Sequence, residues 1–401
     1  MDFSSNIARL RPSATIAVST LAKKLKTEGR DIIDLSAGEP DFPTPDWIAQ
    51  AGIRAIREGH TRYTPAPGLP ELRSAVAASM MRSGGGKGWS VTSDGVVVTC
   101  GAKQALYNAC MALFGPGDEV MIATPYWTSY PQIVSLARAE PVFVAGPEEG
   151  GFRLDPEILE AHRTPATRGL ILCSPSNPTG AVYSAEELQA VARWCRDRGI
   201  HLLSDEIYRR IHFDEAGAPA PGLMDLDAED VGSAVIIDGV SKAYAMTGWR
   251  IGYAVTSPEI AKKLGALQSH STSNAATPSQ MAALEALSRP DDADREIAAM
   301  VQAFRRRRDQ VMAGIREALP GLEILEPGGA FYLFIRTDSR YGDGIDGSEA
   351  WCSDLLEEVG VAMVPGVAFG DDRFVRLSYA TSDALLEEAV RRLARSRAGG
   401  G

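Results

Sequence analysis

The residues DGVSKAYAMTGWRIG, from Asp238 to Gly252, place a lysine among small residues at the end of an apolar run, with an arginine eight positions later. A lysine amine can attack an electrophilic carbon, and an arginine binds phosphate or carboxylate through its planar fork. The stretch therefore predicts a site in which Lys242 and its neighbour Ser241 lie close to an anion held by Arg250.

Two further polar clusters follow short apolar runs. TCGAKQA, residues 99–105, turns into a helical pattern through Gly101, so that free amide groups at the start of the helix would face an anion, most naturally a phosphate. SPSNPTG, residues 174–180, leaves its apolar run through two prolines that fix an irregular loop and present Asn177.

A fourth cluster, SDEIY at 204–208, puts Asp205 at the end of a very apolar run, with Tyr208 nearby. A buried acid at such a place needs a cationic partner or a proton. The four clusters together predict a ligand with a phosphate, a basic nitrogen, an ionised hydroxyl and an electrophile. The basic nitrogen would face Asp205, and the ionised hydroxyl would face Tyr208 and Asn177. The electrophile would face Lys242.

The elements that must position these clusters form an alternating pattern from Gly95 onward. Near-continuous apolar strands separated by helices are typical of a parallel sheet covered on both faces, whose ligand lies outside the carboxyl ends of the strands. The predicted strands are 96–99, 120–123, 142–145, 170–174, 201–205 and 235–238, and the predicted helices between them are 102–114, 127–138 and 184–198.

After about Pro290 the pattern changes and predicts a smaller α+β domain. We expect three parts: an N-terminal segment, 1–45, that joins the small domain; a large ligand-binding domain, 46–289; and the small domain, 290–401. The predicted elements outside the large domain are helices 14–28, 291–319, 348–359 and 382–395, and strands 322–326, 331–335, 361–364 and 374–378.

Composition excludes several classes of protein. The chain has 401 residues, 45% hydrophobic and 23% charged, as in an ordinary soluble globular protein, and its formal net charge of -11 argues against nucleic-acid and membrane partners. Five scattered cysteines and five histidines show neither disulfide nor metal spacing. No signal peptide or membrane-spanning segment is expected, so we expect a cytoplasmic protein without a bound metal.

The motifs, in this order, resemble those of the fold-type I pyridoxal-phosphate enzymes, the class I/II aminotransferases, and most closely the bacterial aspartate aminotransferases of subgroup Ib. The likeness covers essentially the whole chain. It rests on PSATIAV, SAGEPDF, TRYTPAPGLPELR, GAKQAL, PYWTSYP, SPSNPTGAVY, SDEIY, SKAYAMTGWRIGYA and RLSYATS. The resemblance implies an α/β fold with a mainly parallel seven-stranded sheet between helices, pyridoxal 5′-phosphate as the cofactor, and a homodimer with shared active sites.

The resemblance also implies roles for individual residues. Lys242, Asp205 and Tyr208 would be catalytic: Lys242 bonds to the cofactor and later moves a proton, and Asp205 keeps the pyridine nitrogen protonated. The other implied cofactor contacts are Asn177 with Tyr208 at the 3′ oxygen, Trp127 on the ring face, Gly101, Ala102, Lys103, Ser241 and Arg250 around the phosphate, and Tyr63 from a neighbouring subunit. The implied substrate contacts are Arg376, Gly38, Trp127 and Asn177 for the α-carboxylate, and Lys103, Ser13 and Thr15 for a distal carboxylate.

Three positions depart from the subgroup's pattern. Gly239 stands where many relatives have a serine that binds the phosphate, a contact that Ser241 could supply instead. His270 and Ala275 lie in a segment that usually has a different sequence, which puts the outer substrate pocket in doubt. Arg11 replaces a frequent lysine and bears on keto acids such as prephenate.

The leading hypothesis is an aspartate:2-oxoglutarate aminotransferase that works in two half-reactions at one site. The alternatives are an aromatic, prephenate or broad-range aminotransferase, and a pyridoxal-phosphate lyase or decarboxylase. A non-catalytic pyridoxal-phosphate-binding regulator is least favoured, because the full catalytic set is present and no DNA-binding extension is expected ahead of Ser13.

Overall fold

The computed structural model describes residues 3–342 and 344–396. The strands are β1 (Ile33–Asp34), β2 (Val96–Thr99), β3 (Glu119–Thr124), β4 (Glu140–Ala145), β5 (Thr167–Cys173), β6 (His201–Asp205), β7 (Ala234–Gly239), β8 (Gly252–Thr256), β9 (Ile324–Leu325), β10 (Tyr332–Arg336), β11 (Val361–Ala362), β12 (Val364–Pro365) and β13 (Phe374–Ser378). The α-helices are α1 (Ser5–Ala8), α2 (Ala14–Thr27), α3 (Asp46–Arg57), α4 (Pro70–Ser83), α5 (Ala102–Leu113), α6 (Tyr130–Leu136), α7 (Pro156–His162), α8 (Ala185–Arg198), α9 (Pro258–Ser269), α10 (Thr277–Ser288), α11 (Pro290–Ala318), α12 (Gly347–Glu358) and α13 (Asp383–Leu393).

The central sheet has seven strands in the order β2-β8-β7-β6-β5-β3-β4. The pairs among β3 to β7 are parallel, whereas β8 runs antiparallel to both of its neighbours, β2 and β7. The predicted mainly parallel seven-stranded sheet between helices is therefore confirmed. The sequence patterns had not marked β8, which follows the Arg250 motif directly.

The central strands of this sheet are largely apolar because both faces are covered. Leu170 and Leu172 of β5 belong to one buried apolar cluster, and Ile171 between them belongs to another. The first cluster also contains buried residues of α4, α8 and α10, and the second contains those of α5, α6 and α9. Side chains of a strand point alternately to opposite faces, so Leu170, Ile171 and Leu172 are all buried, each by the helical layer on its own face.

A second sheet, β12-β13-β10-β9, is antiparallel throughout. It shares a buried cluster with α11 and α12, in which Phe304, Phe331 and Trp351 are almost completely inaccessible. The N-terminal strand β1 pairs in parallel with β11, so residues 33–34 lie beside residues 361–362 despite their distance along the chain.

Helix α6 is shorter than the predicted 127–138 because of Pro131. Proline is tolerated in the first turn of a helix, but further in its ring clashes with the carbonyl four residues earlier, which here belongs to Trp127. The helix accordingly begins at Tyr130, with Pro131 in its first turn, and Trp127 remains in the preceding loop. None of the helices in the described part of the chain is long and apolar enough to cross a membrane.

Candidate active site

A cavity of about 280 Å³ lies at the carboxyl ends of the parallel strands. The loops that follow β2, β5, β6 and β7 all contribute to its wall, as expected for a ligand site in a sheet of this kind. The predicted site residues that line it are Ser13, Thr15, Gly38, Ala102, Lys103, Trp127, Asn177, Asp205, Tyr208, Ser241, Lys242, Arg250 and Arg376.

Lys242 lies in the loop between β7 and β8, and its Nζ donates a hydrogen bond to the carbonyl oxygen of Gly38. Nζ is 5.7 Å from the centre of the Tyr208 ring. Burial lowers the pKa of the Lys242 amine from 10.5 to about 8. At pH 7 about one tenth of the amine is then neutral, a few hundred times more than for an unperturbed lysine, so this side chain is prepared to act as a nucleophile.

Asp205, at the end of β6, is 4% exposed and has no cation within ion-pairing distance in the described chain. Burial raises the pKa of its carboxyl group to about 6, and hydrogen bonds from the Tyr130 hydroxyl (2.8 Å) and the Ile207 amide (3.3 Å) act in the opposite direction. A cationic nitrogen in the cavity would stabilise the ionised form. Tyr130 was missed by sequence reasoning, although it comes three residues after Trp127.

Arg376, on β13, is 1% exposed and is held by acceptors on both sides. One guanidinium nitrogen donates to Asn177 Oδ1 (2.9 Å) and the other donates to the carbonyl oxygen of Ser36 (2.8 Å). Its Nε is buried and has no hydrogen-bond partner in the described part of the chain. The bond to Oδ1 fixes the orientation of the Asn177 amide, so its NH₂ group remains available for a ligand.

The turn from β2 into α5 packs tightly against Arg250. Gly101 has a φ of 82°, and any side chain there would collide with the Arg250 guanidinium. Arg250 itself has a φ of 59° and donates to the carbonyl oxygens of Thr247 (2.8 Å) and Cys100 (3.3 Å). The first amides of a helix lack an intrahelical acceptor, and Ala102 and Lys103 begin α5. These donors together form a place for an anion.

Lys103 supplies a further cationic group to the wall of the cavity. Its Nζ lies 4.9 Å from the centre of the Trp127 ring and forms no ion pair or hydrogen bond within the described residues. Burial, followed by the nearby charge of Arg250, lowers the pKa of the Lys103 amine. The hydroxyl of Thr15 lines the same cavity and is buried without a partner. An acidic group of a ligand would pair with the Lys103 amine and accept a hydrogen bond from the Thr15 hydroxyl.

Gly101, an expected cofactor contact, packs against the Arg250 guanidinium and does not line the cavity. Tyr63, expected to reach the site of a neighbouring subunit, is 92% exposed and is not part of this chain's own lining. His270, kept open as a pocket residue, is exposed at the end of α9 and lies outside the lining. The backbone at Gly239 leaves no room for the serine found in many relatives, since a Cβ there would be 2.8 Å from the Gly252 Cα.

Comparisons with known proteins agree with this geometry. The model of the family "Aminotransferase class I and II" matches residues 30–393. The aspartate aminotransferase of Geobacillus stearothermophilus is 44% identical over 398 residues, covering 98% of each chain. The aspartate/prephenate aminotransferase of Cereibacter sphaeroides is 46% identical over 397 residues, covering 97% of each. The structure of the Thermus thermophilus aspartate aminotransferase with maleate superimposes with a TM-score of 0.90 at 41% identity, covering 98% of this chain and 99% of the other.

The chain therefore belongs to the class I and II aminotransferase family. It is a pyridoxal-phosphate-dependent aminotransferase, similar to the bacterial aspartate aminotransferases.

Proposed function

We propose that the enzyme moves the amino group of L-aspartate to 2-oxoglutarate. The observation that carries this proposal is the pair of cationic side chains in one cavity, Arg376 and Lys103, the second of which has no anionic partner within the described chain. Aspartate, glutamate and their oxo acids all carry two carboxylates. The maleate of the Thermus thermophilus structure, also a dicarboxylate, supports the same choice.

The residues present fit pyridoxal phosphate. Arg250 and the free amides at the start of α5 would bind its phosphate, and Asp205, which lacks a cation of its own, would pair with the pyridine nitrogen. The Asn177 NH₂ group and the Tyr208 hydroxyl would donate to the 3′ oxygen, with Trp127 against the ring. Bound pyridoxal phosphate supplies an electrophilic carbon for the amino group and a ring that accepts electrons.

Lys242 has two tasks in this proposal. With a pKa of about 8, its amine is sufficiently neutral to form the covalent link to the cofactor near pH 7. With a substrate in the cavity, Nζ would also be placed to take the proton from the substrate Cα. Its position against the Gly38 carbonyl oxygen keeps Nζ at the cavity wall. Lys242→Ala should therefore lose both the visible absorbance of the holoenzyme and its activity while remaining folded.

Arg376 would bind the α-carboxylate of the substrate, and the other carboxylate would lie at Lys103 with Ser13 and Thr15. The orphan Nε of Arg376 and the orphan hydroxyl of Thr15 would both gain an acceptor. Because hydrogen bonds to charged groups contribute about 1.5 to 3 kcal/mol, an acidic side chain would be favoured over a neutral one by roughly ten- to a hundredfold.

Prephenate is a second candidate for the amino acceptor, because one of the similar proteins is an aspartate/prephenate aminotransferase. Arg11 is exposed. Its positive charge lowers the pKa of the Tyr126 phenol, whereas burial raises that pKa by a larger amount. Arg11 is not part of the cavity lining in the described chain, so an acceptor larger than 2-oxoglutarate would have to extend beyond that lining to meet it.

Steady-state kinetics with a panel of donors and acceptors tests the proposal. Aspartate should exceed alanine and phenylalanine in kcat/KM by at least tenfold with 2-oxoglutarate as the acceptor, and prephenate should be measured against 2-oxoglutarate with aspartate as the donor. Comparable values for aspartate and phenylalanine would contradict an aspartate enzyme. A higher kcat/KM for prephenate than for 2-oxoglutarate would make prephenate the preferred amino acceptor and would leave aspartate as the proposed amino donor.

We also propose a homodimer in the cytoplasm. The 92% exposed ring of Tyr63 supports the dimer, since an aromatic side chain so exposed is a suitable contact for a second copy's site. All five cysteines are free, as is usual in a reducing compartment. Light scattering that gave the mass of a single chain would contradict the dimer.

A further inference from the structure

Two buried tyrosine hydroxyls meet at the wall of the cavity. The oxygen atoms of Tyr208, after β6, and Tyr332, the first residue of β10, are 2.8 Å apart, and the two rings pack edge to face with their centres separated by 5.8 Å. Both side chains are almost completely buried and both line the cavity. The pair joins the seven-stranded sheet to the four-stranded sheet through one hydrogen bond.

Tyr332 also supports the arginine that would bind the substrate. The Arg376 guanidinium lies over the Tyr332 ring, 4.3 Å from its centre, and the two residues belong to the paired strands β13 and β10. One side chain therefore contacts both Tyr208, on the cofactor side of the site, and Arg376, on the substrate side.

Each phenol has a single hydrogen, so the direction of the hydrogen bond decides what Tyr208 can do. If Tyr208 gives its hydrogen to a ligand in the cavity, only Tyr332 can supply the hydrogen of the 2.8 Å contact, so Tyr332 then donates to the Tyr208 oxygen. The charges favour this direction. Burial raises the pKa of both phenols, and Arg376 is the strongest influence that lowers the pKa of Tyr332 but the smallest influence on Tyr208.

We propose that Tyr332 is a positioning residue, which directs the Tyr208 hydrogen toward the 3′ oxygen of the cofactor by donating to the Tyr208 oxygen. The inference rests on the proposed function, since it assumes that Tyr208 contacts the cofactor. It adds that the ring of Tyr332 holds Arg376 in place, so that the hydroxyl and the ring of one residue serve different ligands.

The first test is a pH titration of the visible absorbance of the holoenzyme, which reports the proton at the lysine nitrogen bound to the cofactor. Tyr332→Phe removes only the hydroxyl. Without the hydrogen bond from Tyr332, the Tyr208 hydroxyl becomes a weaker donor and stabilises the anionic 3′ oxygen less. The lysine nitrogen beside that oxygen should therefore hold its proton more tightly. We expect the midpoint to rise by roughly 0.1 to 0.7 pH unit, the equivalent of about 10 to 30% of a hydrogen bond to an ionised group.

Two further variants separate this role from a structural one. In a Tyr208→Phe background, Tyr332→Phe should cause no additional shift, because its effect passes through Tyr208. Tyr379→Phe is the matched control: Tyr379 is also buried near the second sheet, but its hydroxyl donates to the Ala330 carbonyl oxygen (3.4 Å) and it does not line the cavity. Its variant should titrate like the wild type.

The ring is tested with Tyr332→Leu, which also removes the support of Arg376. We expect this variant to raise the KM for aspartate at least threefold above that of Tyr332→Phe, whose ring remains. Thermal unfolding of each variant shows that it is folded. An unchanged midpoint in Tyr332→Phe, or a shift that persists fully without the Tyr208 hydroxyl, would overturn the inference alone. A wild-type protein with no visible band would overturn the proposed function as well.

Discussion

Replacing Tyr130 by phenylalanine tests whether its hydroxyl keeps Asp205 ionised. The substitution removes one oxygen atom from a buried side chain and leaves the ring that packs beside Trp127. Of the two hydrogen bonds that Asp205 accepts from neighbouring donors, the one from Tyr130, at 2.8 Å, is shorter than the one from the Ile207 amide, at 3.3 Å. Its loss should therefore act mainly on the carboxyl group.

The magnitude follows from the cost of losing a donor to a buried charge. A hydrogen bond to an ionised group contributes about 1.5 to 3 kcal/mol, which corresponds to a rise of roughly 1 to 2 pH units in the pKa of the acceptor. The folded-state pKa of Asp205 is about 6, so the variant should ionise only between about 7 and 8.

The sign of the effect on stability is fixed by linkage. The folded pKa of Asp205 is already raised above its ordinary value of 3.8, so the free energy of unfolding falls as pH rises from about 4 to about 6 and then levels off. In Tyr130→Phe the fall should continue to about pH 8, with an additional loss of roughly 1.5 to 3 kcal/mol that is absent at pH 5.

Urea unfolding of the cofactor-free protein at pH 5, 6, 7 and 8 measures this difference. Tyr183→Phe is a suitable control, since the Tyr183 hydroxyl is buried and accepts from the Leu154 amide at 2.8 Å rather than donating to Asp205. The control should be destabilised by a similar amount at every pH. A Tyr130→Phe difference that is equally independent of pH would refute the argument.

The remaining predictions concern the charged groups of the cavity. Lys103→Ala should raise the KM for aspartate and 2-oxoglutarate by tenfold or more and leave the KM for alanine nearly unchanged, because only acidic substrates lose a charge-assisted contact. Replacement of the exposed Lys87 by alanine is the control. Equal losses for aspartate and alanine would assign Lys103 to the cofactor instead. Covalent attachment of pyridoxal phosphate to the cofactor-free protein should accelerate with pH around a midpoint near 8, the pKa of Lys242, and a midpoint above 10 in stopped-flow absorbance would contradict that value. Asp205→Asn should lower kcat by about a hundredfold or more with little loss of cofactor absorbance, whereas a variant within a few-fold of wild type would exclude an ion pair with the pyridine nitrogen.

Much of the fold follows from local patterns in the sequence. The predicted bounds of β2, β6 and β13 agree with the structure, because each is a short segment with buried apolar residues that ends at a polar residue before a loop. Ser184 and Glu187 form a capping box at the start of α8, with both reciprocal hydrogen bonds present, which is typical of a serine followed three residues later by a glutamate. Strand β8 was missed because its residues continue a glycine-rich motif, and its antiparallel direction depends on neighbours that are distant along the chain.

The candidate site was predictable to the extent that its residues stand at the ends of strands. Tyr130 and Tyr332 were not found, because their hydroxyl partners, Asp205 and Tyr208, are brought to them only by tertiary packing. The sequence also could not show that Gly239 has no room for a side chain, because the closest atom that would collide with it belongs to the neighbouring strand β8. Residue type and spacing therefore indicated which groups the cavity contains, but the hydrogen-bond directions and pKa shifts required coordinates.

The order of the site residues along the chain has a consequence for biosynthesis. The proposed cofactor contacts of the chain itself are complete once synthesis has passed Arg250 and β8, whereas Tyr332 and Arg376 lie on strands made later. A nascent chain emerging from the ribosome could therefore acquire the vitamin-derived cofactor before it has the arginine that binds a substrate. Loading at that stage would precede the synthesis of the C-terminal strands, before any amino acid could react.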